Sequence, residues 1–166
     1  IGHELTHGFD DEGRQFDGDG NLRDWWTKKD GVEFEKRADC VREQYSKYVI
    51  VDDITINGKL TSGEDIADLG GTILAWAAWK EATKNARLEP VAGLTPEQRF
   101  FVGLAQWACE NQRSENLRVN AATNPHSPGK YRVNGLVANM AEFSAAFQCK
   151  EGAALAKKPE SVCKVW

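Results

Sequence analysis

The sequence contains no apolar run near the ~18 residues that a membrane-spanning helix needs. It also has no block of Lys or Arg longer than pairs such as Lys28-Lys29, Lys36-Arg37 and Lys157-Lys158. The first absence excludes a transmembrane segment. The second, with 21 Lys+Arg against 25 Asp+Glu and a net charge of −4, argues against nucleic acid, whose binding needs a basic footprint. Cysteine is scarce: Cys40, Cys109, Cys149 and Cys163 form no C-x-x-C pair. This argues against a thiolate zinc knuckle and leaves disulfides or buried thiols with three pairings open. The chain opens at Ile1 without Met, a basic n-region or an apolar h-region, so the expectation is a piece of a longer polypeptide. Repeats and low-complexity segments are missing too.

What is present is enough for one core. Of 166 residues, 41% are hydrophobic, and six Trp, seven Phe and three Tyr are too many large apolar side chains for a disordered chain. One folded domain is the expectation.

The spacing of apolar residues predicts a mainly α fold with small extended segments. Ile1 to Gly8 reads as a short helix ended by Gly8, followed by a turn at Asp17-Gly18-Asp19-Gly20. Thr27 caps a second helix of ~20 residues carrying Val32, Phe34, Ala38, Val41, Tyr45 and Tyr48. Val49 to Asp53 and Ile54 to Leu60 are β-prone, with a hairpin turn expected at Asn57-Gly58. The most apolar helix runs from Gly63 to about Arg87 and should be central; Gly70-Gly71 inside it implies close approach of another backbone. Pro90 to Gly93 is a linker. Thr95-Pro96-Glu97-Gln98 is a capping box opening a helix to about Glu110, and Arg113 to Ala122 forms a short helix. Asn124 to Gly129 is a loop, Asn139-Met140-Ala141-Glu142 reads as another capping box for a helix to Cys149, and the last ~17 residues are tail.

His3-Glu4-Leu5-Thr6-His7 is H-E-x-x-H, which on a helix sets two imidazoles one turn apart on one face with Glu4 beside them. Chance would write this motif in under about 1% of chains of this length. A catalytic zinc needs a third protein ligand and an open position. Gly63-Glu64-Asp65-Ile66-Ala67-Asp68 offers two carboxylates four residues apart, so Glu64 can bind the metal while Asp68 accepts the outer N–H of a ligand histidine. Alone, such a pair is a solvated first turn favoured by the helix dipole; beside H-E-x-x-H it reads as ligand and orienter. His126, otherwise an ordinary loop histidine, and Arg132 are the candidates to donate to a developing oxyanion.

His3 to Asp11, Trp25-Trp26, Gly63 to Asp68, His126-Ser127-Pro128-Gly129 and the terminal Cys163-Lys164-Val165-Trp166 together resemble the carboxy-terminal catalytic part of the neprilysin and endothelin-converting-enzyme family of zinc endopeptidases. The resemblance spans the chain in order and implies a gluzincin-type zinc-peptidase lobe over residues 1–166. It implies that His3, His7 and Glu64 bind one Zn2+, Glu4 activates water, Asp68 orients a ligand histidine, and His126 stabilises the tetrahedral intermediate. Arg132 resembles the arginine that holds a substrate carbonyl on the primed side. Cys40 and Cys163 match a pair that relatives join, whereas Cys109 and Cys149 match cysteines whose partners lie upstream, outside this chain. The implied activity is cleavage of oligopeptides on the amino side of apolar residues, in an extracytoplasmic setting. The rival is a non-catalytic zinc-binding or scaffold fragment, inactive without its upstream half; a cytosolic enzyme with free thiols is a third option.

Four departures from the family pattern stand out. Asp65 replaces the usual Asn and adds a carboxylate near the metal. Asn124 replaces an acid two residues before His126. Trp107 in Gln106-Trp107-Ala108-Cys109 comes one place earlier than usual, which bears on the apolar specificity pocket. The upstream Asn-Ala-aromatic segment that pins the substrate backbone is missing.

Overall fold

The computed structural model describes residues 1–150 and 152–166. Among the described residues, seven α-helices and one two-stranded ribbon follow in the order α1 (Gly2–His7), α2 (Lys28–Tyr45), β1 (Val49–Val51), β2 (Ile54–Thr55), α3 (Ser62–Thr83), α4 (Pro96–Trp107), α5 (Ser114–Thr123), α6 (Gly129–Val137) and α7 (Ala141–Ala146), with single 3-10 turns at Gly13–Gln15 and Pro159–Ser161. Thr27 caps α2 by accepting from the Asp30 N–H, and Thr95 with Gln98 forms the full reciprocal capping box of α4.

The core lies where α2, the first half of α3 and α6 meet. Phe34, Ala38, Val41 and Tyr45 of α2 pack with Ile66 and Leu69 of α3 and Leu136 and Val137 of α6, all buried. Val32, read as part of the buried face of α2, points to solvent instead. A second cluster joins Trp76 and Trp79 of α3 to Phe100 and Phe101 of α4, with Phe143 of α7 edge-on to Phe101 at 5.3 Å.

The expectation that α3 is central holds only for Ser62–Thr72. Beyond it Ile73 and Leu74 are about half exposed, because no described element covers that side; with Leu5 and Phe9 near α1 and Trp166 they form an apolar surface groove. Gly70-Gly71 does meet another backbone. A methyl group on Gly71 would collide with the His3 N–H, and one on Gly2 would lie 2.7 Å from the Gly71 carbonyl oxygen. Two glycines let α1 and α3 touch main chain to main chain.

Four other expectations are corrected. The ribbon turns at Asp52-Asp53, with Asp52 at φ 53°, rather than at Asn57-Gly58. Gly58 is buried against the Arg42 carbonyl of α2, which leaves no room for a side chain there. Asn139 caps nothing: α7 starts after Met140, and the Asn139 amide is committed to Gln44 and the Gly135 carbonyl. Gly129 is not loop but the first residue of α6, a helix with no clear signal in the sequence. The last residues are not a loose tail, since Cys163 and Val165 are core residues.

The carboxy-terminal segment is fixed by a Cys40–Cys163 disulfide across 123 residues. A buried polar network closes beside it. The Lys157 ammonium donates to Gln44 Oε1 (2.6 Å) and Asn139 Oδ1 (2.9 Å), and the Cys163 N–H donates to Asn139 Oδ1.

Candidate metal centre

His3 and His7 project from one face of α1 toward Glu64, which stands in the first turn of α3. One ligand atom from each lies within 4.8 Å of the others. Each imidazole is held from behind by a carboxylate. His3 Nδ1 donates to Asp68 Oδ1 at 2.8 Å and His7 Nδ1 donates to Asp10 Oδ2 at 2.6 Å. Both Nε2 lone pairs then point inward, 3.0 Å apart, with Glu64 oxygens 3.3 Å from His3 Nε2 and 3.6 Å from His7 Nε2. Two neutral imidazole nitrogens and one carboxylate oxygen converging without donors between them are the donor set of a catalytic zinc, and the residues fit that ion. Burial works against a charged His7, but the Asp10 hydrogen bond and the Glu64 charge outweigh it and raise its pKa.

Asp10, within the His3-to-Asp11 motif, is a functional residue with no role assigned from sequence. The available signal was its position three residues after His7, reachable from the end of α1. Its second oxygen accepts from the N–H groups of Glu12 and Gly13, which fixes the carboxylate. Gly63 makes room for it, because a methyl group there would sit 3.0 Å from Asp10 Oδ2.

His126 and Arg132 reach the same carboxylates from the other side. His126 Nε2 lies 3.2 Å from Glu64 Oε1, and Arg132 grips Asp68 through Nε (2.7 Å) and Nη2 (2.8 Å) while Nη2 also reaches Glu64 at 3.2 Å. Asn124 Oδ1 accepts both the His126 backbone N–H (2.9 Å) and its ring Nδ1–H (3.0 Å), so the uncharged Asn124 amide orients the ring of the residue two places on. The indole of Trp107 lies against the Arg132 guanidinium, 4.7 Å from ring centre to carbon.

Glu4, His3, Asp68, His126 and Arg132 line one open cleft of about 470 Å³, continued by Ala75, Phe100, Leu104, Trp107 and Leu136. Asp65 stands apart from the ligand group, correcting the expectation that it adds a carboxylate near the metal. It is buried, with Oδ2 accepting from Thr61 (2.7 Å) and Ser127 (3.1 Å) hydroxyls. Burial pushes its carboxyl well above the usual range, against those two hydrogen bonds. Ser127 is thereby tied to α3, and with it the loop that carries His126.

The model of peptidase family M13 matches residues 1–163. The chain is 46% identical over 172 residues to Neprilysin-1 of Caenorhabditis elegans and 42% identical over 169 residues to endothelin-converting enzyme 1 of Homo sapiens. Both alignments cover all of this chain but 22% of the relative, so the chain spans about a fifth of the length of these curated relatives. Among solved structures, the inhibitor complex of Mycobacterium tuberculosis zinc metalloprotease ZMP1 superposes with a TM-score of 0.92 at 40% identity, covering 99% of this chain and 26% of that one. PepO from Lactobacillus rhamnosis superposes with a TM-score of 0.85 at 27% identity, covering 99% and 25%.

Proposed function

The chain belongs to peptidase family M13, and from that premise we propose that residues 1–166 are the carboxy-terminal catalytic lobe of a zinc endopeptidase acting on oligopeptides. The observation that carries the proposal is the convergence of His3, His7 and Glu64, with both imidazoles held by Asp68 and Asp10. These three side chains would hold the zinc. The chemistry such an ion supplies when bound is Lewis acidity, polarising a carbonyl and acidifying water.

The rest is done by the chain's own groups. Glu4 follows His3 on α1, is exposed, and lines the same cleft, so its carboxylate can take the proton of the attacking water and return it to the leaving amine. His126 Nε2 faces the ligand group, and because Asn124 already takes the Nδ1–H, it is as the imidazolium, with both ring N–H groups present, that His126 would donate to the oxyanion. Arg132, held rigid by Asp68 and Trp107, has a guanidinium positioned to take a substrate carbonyl. The apolar end of the cleft, at Phe100, Leu104 and Leu136, suits an apolar side chain and supports cleavage on its amino side. The Cys40–Cys163 bridge is consistent with an oxidising, extracytoplasmic setting. Cys109 is exposed and Cys149 half-buried, both unpaired among the described residues, and are assigned to bridges with an upstream part of the same polypeptide.

Zinc content and hydrolysis of an oligopeptide, measured separately on the longer polypeptide, test the proposal. Glu64→Ala should lose zinc; Glu4→Gln should keep it and lose hydrolysis. The exposed apolar groove at Leu5, Ile73 and Leu74 favours the second reading for the 166 residues alone, a zinc-binding piece without turnover. Stoichiometric zinc with no hydrolysis in the chain alone, and activity in the longer polypeptide, would assign each reading to its own species.

A further inference from the structure

Trp107 is shared by two cavities. It lines the cleft and also a separate cavity of about 160 Å³, which has Trp107, His126 and Arg132 in common with the cleft but is otherwise lined from β1, the segment after β2, α5 and the loops on either side of α5. A cavity of roughly 150 Å³ holds a ligand the size of benzene, so this one takes a single side chain. Its lining is polar where the cleft is apolar: Asn57, Glu110, Gln112, Asn120 and Asn124 face it. Ala108, beside Trp107, supplies only a methyl group to the wall, which keeps the cavity open.

The charges on the wall decide what fits. Arg132 is matched by Asp68 and Glu64, and His126 faces Glu64. Glu110 accepts the Gly129 N–H with one oxygen at 2.7 Å and has no cationic partner among the described residues. An acidic side chain would meet that carboxylate. A purely apolar one would strip water from amides and a carboxylate without replacing their hydrogen bonds. A lysine side chain satisfies both demands, laying its methylenes along Leu117 and Ile56 and bringing donors to Glu110 and the amides.

We propose that the cavity beside Trp107 is a second substrate subsite, selecting a basic side chain, lysine above all. The residue concerned neighbours the one held in the apolar cleft, since successive side chains of an extended peptide point to opposite faces. The inference rests on the peptidase reading for the origin of its ligand, while its test needs neither zinc nor turnover.

Amide chemical shifts of the chain are followed by NMR during titration with the blocked amino acids N-acetyl-lysine methylamide, its norleucine analogue and its glutamate analogue. The lysine probe should move the amides of Gln112, Asn120 and Gly129 and bind about tenfold more tightly than norleucine, with glutamate weakest. Glu110→Gln, which keeps an acceptor for Gly129, should bring lysine down to the norleucine level. Ala108→Trp should fill the cavity and remove the response. Equal binding of lysine and norleucine, or a lysine response unchanged in Glu110→Gln, overturns the proposal. A response confined to residues outside the cavity does the same. Retained hydrolysis in Glu4→Gln, which would overturn the peptidase assignment, would leave every one of these binding results unaffected, so the two readings fail separately.

Discussion

Asp68 holds Arg132 with both carboxylate oxygens, at 2.7 and 2.8 Å, and with one of them also accepts the Nδ1–H of His3. One side chain thus sets the tautomer of a ligand imidazole and the orientation of the guanidinium at once. Asp68→Asn should keep the shape, remove the charge and weaken zinc binding by about 10- to 100-fold. Asp10→Asn should do the same through His7. Competition against a chelator of known affinity measures both, and unchanged zinc affinity in either variant would rule out its role as orienter.

The contact between α1 and α3 depends on having no side chain at Gly71, where a methyl group would meet the His3 N–H. Gly71→Ala should cost on the order of 1–3 kcal/mol of stability and weaken zinc binding as well, because His3 and Glu64 lie on the two helices being pushed apart. Gly103 on α4 is the control: its Cβ position meets nothing within 4 Å. Gly103→Ala should stabilise by about 0.5–1 kcal/mol through helix propensity. Urea unfolding of both variants checks the contrast, and similar midpoints would refute it.

Removing the disulfide in a Cys40→Ala/Cys163→Ala variant should cost about 5 kcal/mol by chain entropy for a loop of this length. That is comparable to the whole stability of a modest domain, so the variant should be largely unfolded at 37 °C. A loss below about 1 kcal/mol in denaturant titration would contradict the entropic account.

Burial, aided by the charge of Lys47, lowers Lys157 from the ordinary lysine value of 10.5 to about 8. Between those values the unfolded chain holds a proton that the folded one lacks, so the contribution of this residue to stability rises with pH across the window. Against a Lys157→Met variant, the parent should gain relative stability between about pH 7.5 and about pH 10. A difference independent of pH would show that Lys157 titrates normally.

How much of this was legible beforehand differs by element. H-E-x-x-H, the Thr95/Gln98 box and the Thr27 cap are local chemistry, and α1, α4 and α2 begin where those residues say. The convergence of His3, His7 and Glu64 was legible from H-E-x-x-H taken together with two carboxylates four residues apart, since Glu64 and Asp68 share a face of any helix that carries both; the carboxylate spacing alone reads as a solvated first turn. Helix α6 was hidden because its stability is tertiary. Gly129 and Gly135 argue against it locally, yet Gly135 sits flat on the Tyr45 ring, where a methyl group would approach Cζ to 2.5 Å, and its carbonyl accepts from Gln44 Nε2. Asn139 misled for a related reason. A good capping residue by type, it is claimed by a long-range network that no local pattern reveals. The ribbon turn slipped because Asp52 tolerates the left-handed conformation, freeing Gly58 to pack on α2.

The single bridge between Cys40 and Cys163 also governs what happens when the chain is cut. Arg87, in the segment between α3 and α4, is almost fully exposed and offers trypsin an obvious target. Cleavage there divides the site's contributors: His3, Glu4, His7 and Glu64 fall in one fragment, His126 and Arg132 in the other. Because Cys40 lies in the first fragment and Cys163 in the second, the fragments stay covalently joined and migrate as one band until a reductant is added. A nicked molecule therefore keeps both halves of its chemistry within reach, and only nicking together with reduction releases them.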